Sequence, residues 1–218
     1  MMHETHINLW KKHLGSVPPE VWENTELETL VLADNDLVEI PPEIGRLRKL
    51  RMLDLGHNRL ESVPEEIGDL EDLTDFLYLH DNALTSLPAS MARLRRLRYL
   101  NISGNRLAEL PAAVCEMAGL KELRVTDNAI AELPERIGGL SQLRELHLRN
   151  NRLTALPDAI GMLAELRQID LRGNPLQRLP KAIAHLPKIE KIDLRWVTTL
   201  EAPAWLRKLE DRGCLVYW

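Results

Sequence analysis

The stretch Leu143-Arg144-Glu145-Leu146-His147-Leu148-Arg149-Asn150-Asn151-Arg152-Leu153-Thr154-Ala155-Leu156-Pro157 carries the reading of the whole chain. Leucines stand at 143, 146, 148, 153 and 156, with an asparagine at 151 and a proline six residues after it. Working outward in both directions, the asparagine returns as Asn35, Asn58, Asn82, Asn105, Asn128 and Asn174. The steps along this column are 23, 24, 23, 23, 23 and 23, so the third unit carries one inserted residue, between Leu73 and Leu77. A second column, Pro41, Pro64, Pro88, Pro111, Pro134, Pro157 and Pro180, follows each asparagine at a distance of six. A fixed period of this length marks a stack of like units, none of which can bury its apolar face alone.

Each column has a physical reason. In Leu146-His147-Leu148 the alternation of two sends both leucines inward and leaves His147 outside. Strands of three or four residues then pair in parallel with their copies in the neighbouring units. The asparagine sits where the chain turns, and its amide satisfies backbone groups that would otherwise be unpaired, as a ladder. Proline is expected as the first residue of the returning helical turn, where its fixed φ fits. The Ile/Val, Leu and Leu that follow at spacings of three face one way from a short helix or 3-10 turn. Gly45, Gly68, Gly138 and Gly161 permit close packing there. The fold class is therefore α/β: a right-handed solenoid with short parallel strands on the concave face and short helices or 3-10 turns on the convex face.

The ends depart from the plan as the ends of a solenoid must. Pro18 continues the proline column backwards with Lys12 in the asparagine position, so residues 1–26 read as a degenerate capping unit. Residues 27–188 read as seven regular units. Residues 189–218 hold a degenerate last repeat, with Val197 in the asparagine position, and a cap made of an amphipathic helix ending at Gly213 and an apolar strand.

Composition narrows the function. With 28 basic and 33 acidic residues, net charge −5, the chain is not built as a general nucleic-acid binder. Cys115 and Cys214 are far apart in sequence and suit a reducing compartment. No run approaches the ~18 apolar residues of a membrane span. The N-terminus lacks the basic start and apolar run of a secretory signal. The expectation is a cytoplasmic monomer with no nucleic-acid or membrane partner.

The columns resemble the intracellular LPxxIGxLxxLxxLxLxxNxL class of leucine-rich repeats, over roughly Ile7 to Val197. Similar repeats occur in standalone bacterial proteins and in Ras-pathway scaffold proteins. The tail from Ala202 to Trp218 looks like the closing segment of the bacterial members. The resemblance implies protein–protein recognition on the concave face and no catalysis. The kinase, GTPase and ubiquitin-ligase domains of larger relatives have no counterpart in the residues outside the repeats, so those activities are not carried over.

The outward residues of the strands give that face its chemistry. The N-terminal half is apolar and aromatic, with Trp10, Val31, Met52, Phe76, Tyr78 and Tyr99. Exposed aromatics at the centre of a concave surface have the character of interface hot spots. The alternative is that the insertion between Leu73 and Leu77 turns Phe76 into the core. The C-terminal half is charged: Arg124 and His147, then Arg149, Arg172 and Arg195 in one column, about 5 Å apart as adjacent strands require. That row would take carboxylates or phosphates. Equally, Asp170, Asp193 and Glu145 could neutralise it from within. Trp196 either walls the groove or packs on the cap.

No GxxxxGK[ST], GxGxxG, HExxH, GxSxG or CxxC motif occurs. His3, Glu4 and His6 read as a frayed terminus rather than a ligand set. His57, His80, Asp54 and Asp81 come from adjacent strands and could hold a divalent metal. Polar clusters on a solenoid surface are ordinarily solvated, however, and no metal or cofactor is expected. The leading function is a non-catalytic adaptor or scaffold that binds another protein or peptide. The alternatives are a bacterial effector or regulator that binds and modulates a signalling enzyme, and a metal-dependent enzyme resting on that polar cluster alone.

Overall fold

A computed structural model describes residues 4–218. His3, one member of the terminal His3, Glu4 and His6 group, lies outside them. The core of each repeat becomes a strand of three residues, β1 (His6–Asn8), β2 (Thr29–Val31), β3 (Met52–Asp54), β4 (Phe76–Tyr78), β5 (Tyr99–Asn101), β6 (Glu122–Arg124), β7 (Glu145–His147), β8 (Gln168–Asp170) and β9 (Lys191–Asp193), and the cap adds β10 (Leu215–Tyr217). They form one ten-stranded sheet in sequential order, parallel throughout. The central residue of each strand from β2 to β9 points inward and is at most 1% exposed, from Leu30 through Leu53 and Leu146 to Ile192. Burying one such leucine contributes roughly 1.5–3 kcal/mol, and the stack repeats it unit after unit.

The asparagines form the expected ladder. Asn58 Nδ2 donates to the carbonyls of Leu32 in the preceding unit (3.1 Å), Leu55 (3.0 Å) and Gly56 (3.1 Å). Its Oδ1 accepts from the backbone N–H groups of Asn35 and Leu37, both at 3.0 Å. Asn105, Asn151 and Asn174 repeat the pattern with their own neighbours. Val197 cannot do so, and the Thr199 hydroxyl donates to the Leu176 carbonyl at 2.6 Å in the last unit.

The proline expectation is off by one residue. Pro64, Pro88, Pro134 and Pro157 are extended, with ψ near 150°, and stand immediately before the 3-10 turns Glu65–Asp69, Ala89–Arg93, Glu135–Gly139 and Asp158–Met162. Proline acts there as an acceptor: Ile67 N–H donates to the Pro64 carbonyl, closing the first turn at 3.1 Å. Short α-helices replace the turn at α1 (Pro19–Glu23) and α2 (Ala112–Cys115). At Gly68 an added Cβ would meet the Ser90 backbone carbonyl oxygen at 2.4 Å, so glycine here sets how closely two convex turns approach.

The inserted residue is absorbed ahead of its strand, at Thr74–Asp75. Asp75 N–H still bonds the Arg51 carbonyl at 2.9 Å, and Met52 pairs with Phe76 and Leu53 with Leu77. The register therefore survives and Phe76 faces outward, 43% exposed, not into the core. At the C-terminus α3 (Leu206–Glu210) buries Leu206 and Leu209, and β10 pairs in parallel with β9. Among the described residues, no helix is long and apolar enough to cross a membrane.

Candidate functional site

Because the strands are locked in register, side chains at equivalent positions on neighbours become lateral contacts. Phe76, Tyr78 and Tyr99 form one ring cluster with centroid separations of 5.9, 5.5 and 5.1 Å. Tyr78 continues edge-on to His80 at 5.9 Å, and the Arg124 guanidinium lies 6.0 Å from the Tyr99 ring. Partial burial pushes the Tyr99 hydroxyl up to about 12, and burial followed by the charge of Asp54 raises Tyr78. Both phenols therefore remain neutral donors, presenting an apolar body with a polar tip. Met52 pairs with Phe76 on the same face. Trp10 is 57% exposed in the first unit and takes no part in these ring contacts, with Lys11 Nζ 6.0 Å from its ring.

Beyond Tyr99 a groove of about 430 Å³ runs along the charged half, lined among others by Arg124, His147, Arg149, Arg172, Lys191 and Asp193. Internal neutralisation describes two of the three arginines in the column. Arg172 grips Asp170 with two hydrogen bonds of 2.8 and 2.6 Å, and Arg195 grips Asp193 with 2.9 and 2.8 Å. Arg149 differs because His147, not a carboxylate, stands two residues before it. Glu145, expected to relieve Arg149, pairs with His147 at 3.3 Å instead. Arg149 keeps a 3.5 Å contact to Asp127, while its Nε is buried without a hydrogen-bond partner among the described residues. His147 is held below the ordinary imidazole value by burial and then by the Arg124 charge, against the pull of Glu145 and Glu122.

Two features escaped the sequence reading. The column just before the asparagine adopts a left-handed backbone in every unit: Lys11, Asp34, His57, Asp81, Gly104, Asp127, Asn150, Gly173 and Trp196 have φ between 52° and 65°. Asp, Asn and Gly dominate it because they tolerate that region best. The column forms a rim, tied laterally where Asn150 Nδ2 donates to Asp127 Oδ1 at 2.7 Å and where Lys11 approaches Asp34 at 3.7 Å. Trp196 belongs to this rim, 66% exposed with Arg172 at 5.8 Å from its ring, so it does not pack on the cap. Lastly, β10 extends the concave face as well as covering the last repeat. Tyr217 points out beside Asp193 in register and lies under Lys191 (5.3 Å) and Arg195 (5.5 Å). The alternation in Leu215-Val216-Tyr217 was the available signal.

A ladder-stabilised stack with its strands exposed as a continuous inner surface defines a repeat-solenoid protein. Residues 5–60, 25–77, 118–176 and 141–196 match the family described as Leucine rich repeat, and 96–117 match a second model of the same description. The chain belongs to the leucine-rich-repeat family.

Among solved structures, an LRR protein of Leptospira interrogans is 25% identical, with a TM-score of 0.76 over 96% of this chain and 64% of that one. The plant peptide hormone receptor RGFR1, in complex with RGF2, is 32% identical, with a TM-score of 0.75 over 93% of this chain and 33% of that one. The LRR ectodomain of the Arabidopsis thaliana membrane receptor kinase GASSHO1/SCHENGEN3, in complex with CASPARIAN STRIP INTEGRITY FACTOR 2, is 30% identical, with a TM-score of 0.76 over 88% of this chain and 24% of that one. This chain spans less than two thirds of each of these relatives. No curated protein matches the sequence. The fold is typical of protein–protein interaction modules.

Proposed function

We propose that this chain is a non-catalytic binding module that takes an extended segment of a partner protein along its concave face, acting as an adaptor or scaffold. The observation that carries this reading is the ring cluster of Phe76, Tyr78 and Tyr99, assembled on two adjacent strands at positions the core does not use. Apolar or aromatic residues of the partner pack there. An acidic group of the same segment reaches Arg149, the one arginine of its column without a bidentate carboxylate. Two of the structural relatives are peptide or factor complexes by their own description, which supports a peptide-like occupant. Cys115 and Cys214 are buried free thiols, which supports a reducing cytoplasm.

Selection of peptides from a displayed random library against the immobilised full chain tests this. Selected peptides combine an aromatic or aliphatic anchor with an acidic residue. Their affinity falls by at least tenfold for Tyr78→Ala/Tyr99→Ala and by a smaller factor for Arg149→Ala. Unchanged affinity in the double variant overturns the reading.

A further inference from the structure

At the N-terminal edge of the ring cluster, His57, His80 and Asp81 converge from two adjacent repeats. Each offers one donor atom, and the three donors lie within 4.8 Å of one another. We propose that these side chains form a binding site for a divalent transition-metal ion, Zn²⁺ in particular, with the fourth position left to water or to a donor group of the bound partner.

Four observations carry this. The first is distance. Zinc bonds to nitrogen and oxygen of about 2.0–2.1 Å, arranged tetrahedrally, place neighbouring donors roughly 3.3 Å apart. His57 Nδ1 and Asp81 Oδ2 already stand 3.4 Å apart, and the two imidazoles lie edge to face with centroids at 4.8 Å. The third ligand therefore closes with side-chain movement of the order of 1 Å.

The second is that the backbone beneath the site is locked. His57 N–H donates to the His80 carbonyl at 2.9 Å, and Asp81 N–H to the Ser103 carbonyl at 2.9 Å. His57 and Asp81 both occupy the left-handed rim column, φ 52° each, which aims successive units' side chains at one another.

The third is that two glycines make room. The His80 ring lies directly over Gly56, where an added Cβ would stand 2.3 Å from its Cε1. The Asp81 carboxylate lies over Gly104, where a Cβ would stand 2.2 Å from Oδ1. Any other residue at 56 or 104 would push a ligand out of the cluster.

The fourth observation is an unmet bonding capacity: His80 Nδ1 is buried and has no hydrogen-bond partner among the described residues. Asp54, the fourth residue of the group noted in the sequence, is engaged elsewhere: its Oδ1 accepts from Gly56 N–H at 2.9 Å.

A second convergence, Glu122, Glu145 and His147, meets the same distance criterion but not the chemical one. Arg124 Nε bonds Glu122 at 2.5 Å, so a guanidinium already occupies the place of the cation. Nor do the thiols compete, since burial raises both Cys115 and Cys214 and disfavours the thiolate that binds metal.

The test is calorimetric titration of the chelator-treated full chain with Zn²⁺, repeated on His57→Ala, His80→Ala, Asp81→Asn, His147→Ala and His6→Ala. The expected result is one saturable equivalent in the parent. Affinity falls by more than about tenfold, the cost of losing even an outer-shell partner, in each of the first three variants and stays unchanged in the last two. His57 and Asp81 are exposed, so their variants keep the fold, which melting in chelator verifies. No saturable uptake by the parent, uptake that survives His57→Ala and Asp81→Asn, or uptake lost in His147→Ala or His6→Ala overturns the proposal.

Discussion

The backbone N–H of Asn35 donates to the carboxamide oxygen of Asn58 at 3.0 Å, one full repeat away in sequence. The same oxygen holds the Leu37 N–H, and the same amide nitrogen holds three carbonyls, all from a side chain that is 8% exposed. Asn58→Ala leaves these buried groups without partners while removing almost no apolar contact. The expected loss is about 1–3 kcal/mol in urea denaturation. Gln177→Ala, on an exposed side chain, should stay within about 0.5 kcal/mol of the parent.

That ladder was legible because asparagine has one distinctive role at one recurring position. The strands were legible for a similar reason: Leu146 and Leu148 can share the core only if His147 faces out. The rim was not. Asp34, His57, Asn150 and Gly173 share neither size nor polarity, and what unites them is tolerance of a left-handed backbone, which no hydrophobic pattern reports. The state of the arginine column was hidden too. Whether Glu145 turns to Arg149 or to His147 depends on rotamers and on the second carboxylate at Glu122, which lies 3.7 Å from the same imidazole. Proline was misplaced by one residue because its fixed φ fits the residue before the turn as well as the first residue in it.

Asp193 gives the fold an acid-sensitive element. Burial pushes its carboxyl up, but the Arg195 side chain and backbone N–H, with the charges of Arg172 and Arg195, hold it below the usual carboxylate value overall. A depressed folded value means the stabilisation is present above the unfolded value, about 4, and is lost as pH falls through the folded one. Asp193→Asn should therefore be less stable than the parent at pH 7 by about 1–3 kcal/mol. The gap should narrow in urea titrations run progressively below pH 4. A pH-independent gap would mean that the carboxylate's charge contributes nothing.

Cys115 reports on packing of the convex side. It occupies the position held by Gly68 and Gly138 in other units, is 4% exposed, and burial pushes its thiol up to about 11. At pH 8 the thiolate is then only about one part in a thousand. Neither Cys115 nor Cys214, 5% exposed, should react with an aromatic disulfide reagent on the timescale of a free thiol. Both should react at once in urea. Fast labelling of the folded chain would show that the convex turns or the cap open locally.

Trp196 holds a left-handed backbone, φ 64°, while 66% exposed. A left-handed conformation costs a bulky L-residue about 1–2 kcal/mol, and the contact with Arg172 at 5.8 Å returns about 0.5–1 kcal/mol at an exposed site. Replacement by asparagine, the residue at the same position in the unit of Asn150, removes most of the first term and all of the second. Trp196→Asn should therefore match the parent's unfolding free energy or exceed it by up to about 1 kcal/mol, measured by urea denaturation. Strain of this kind is retained where the side chain serves something other than the fold. Trp196 stands on the rim of the charged half of the groove, beside Arg172. A loss of stability beyond about 1 kcal/mol would instead assign the indole to the packing of the last repeat.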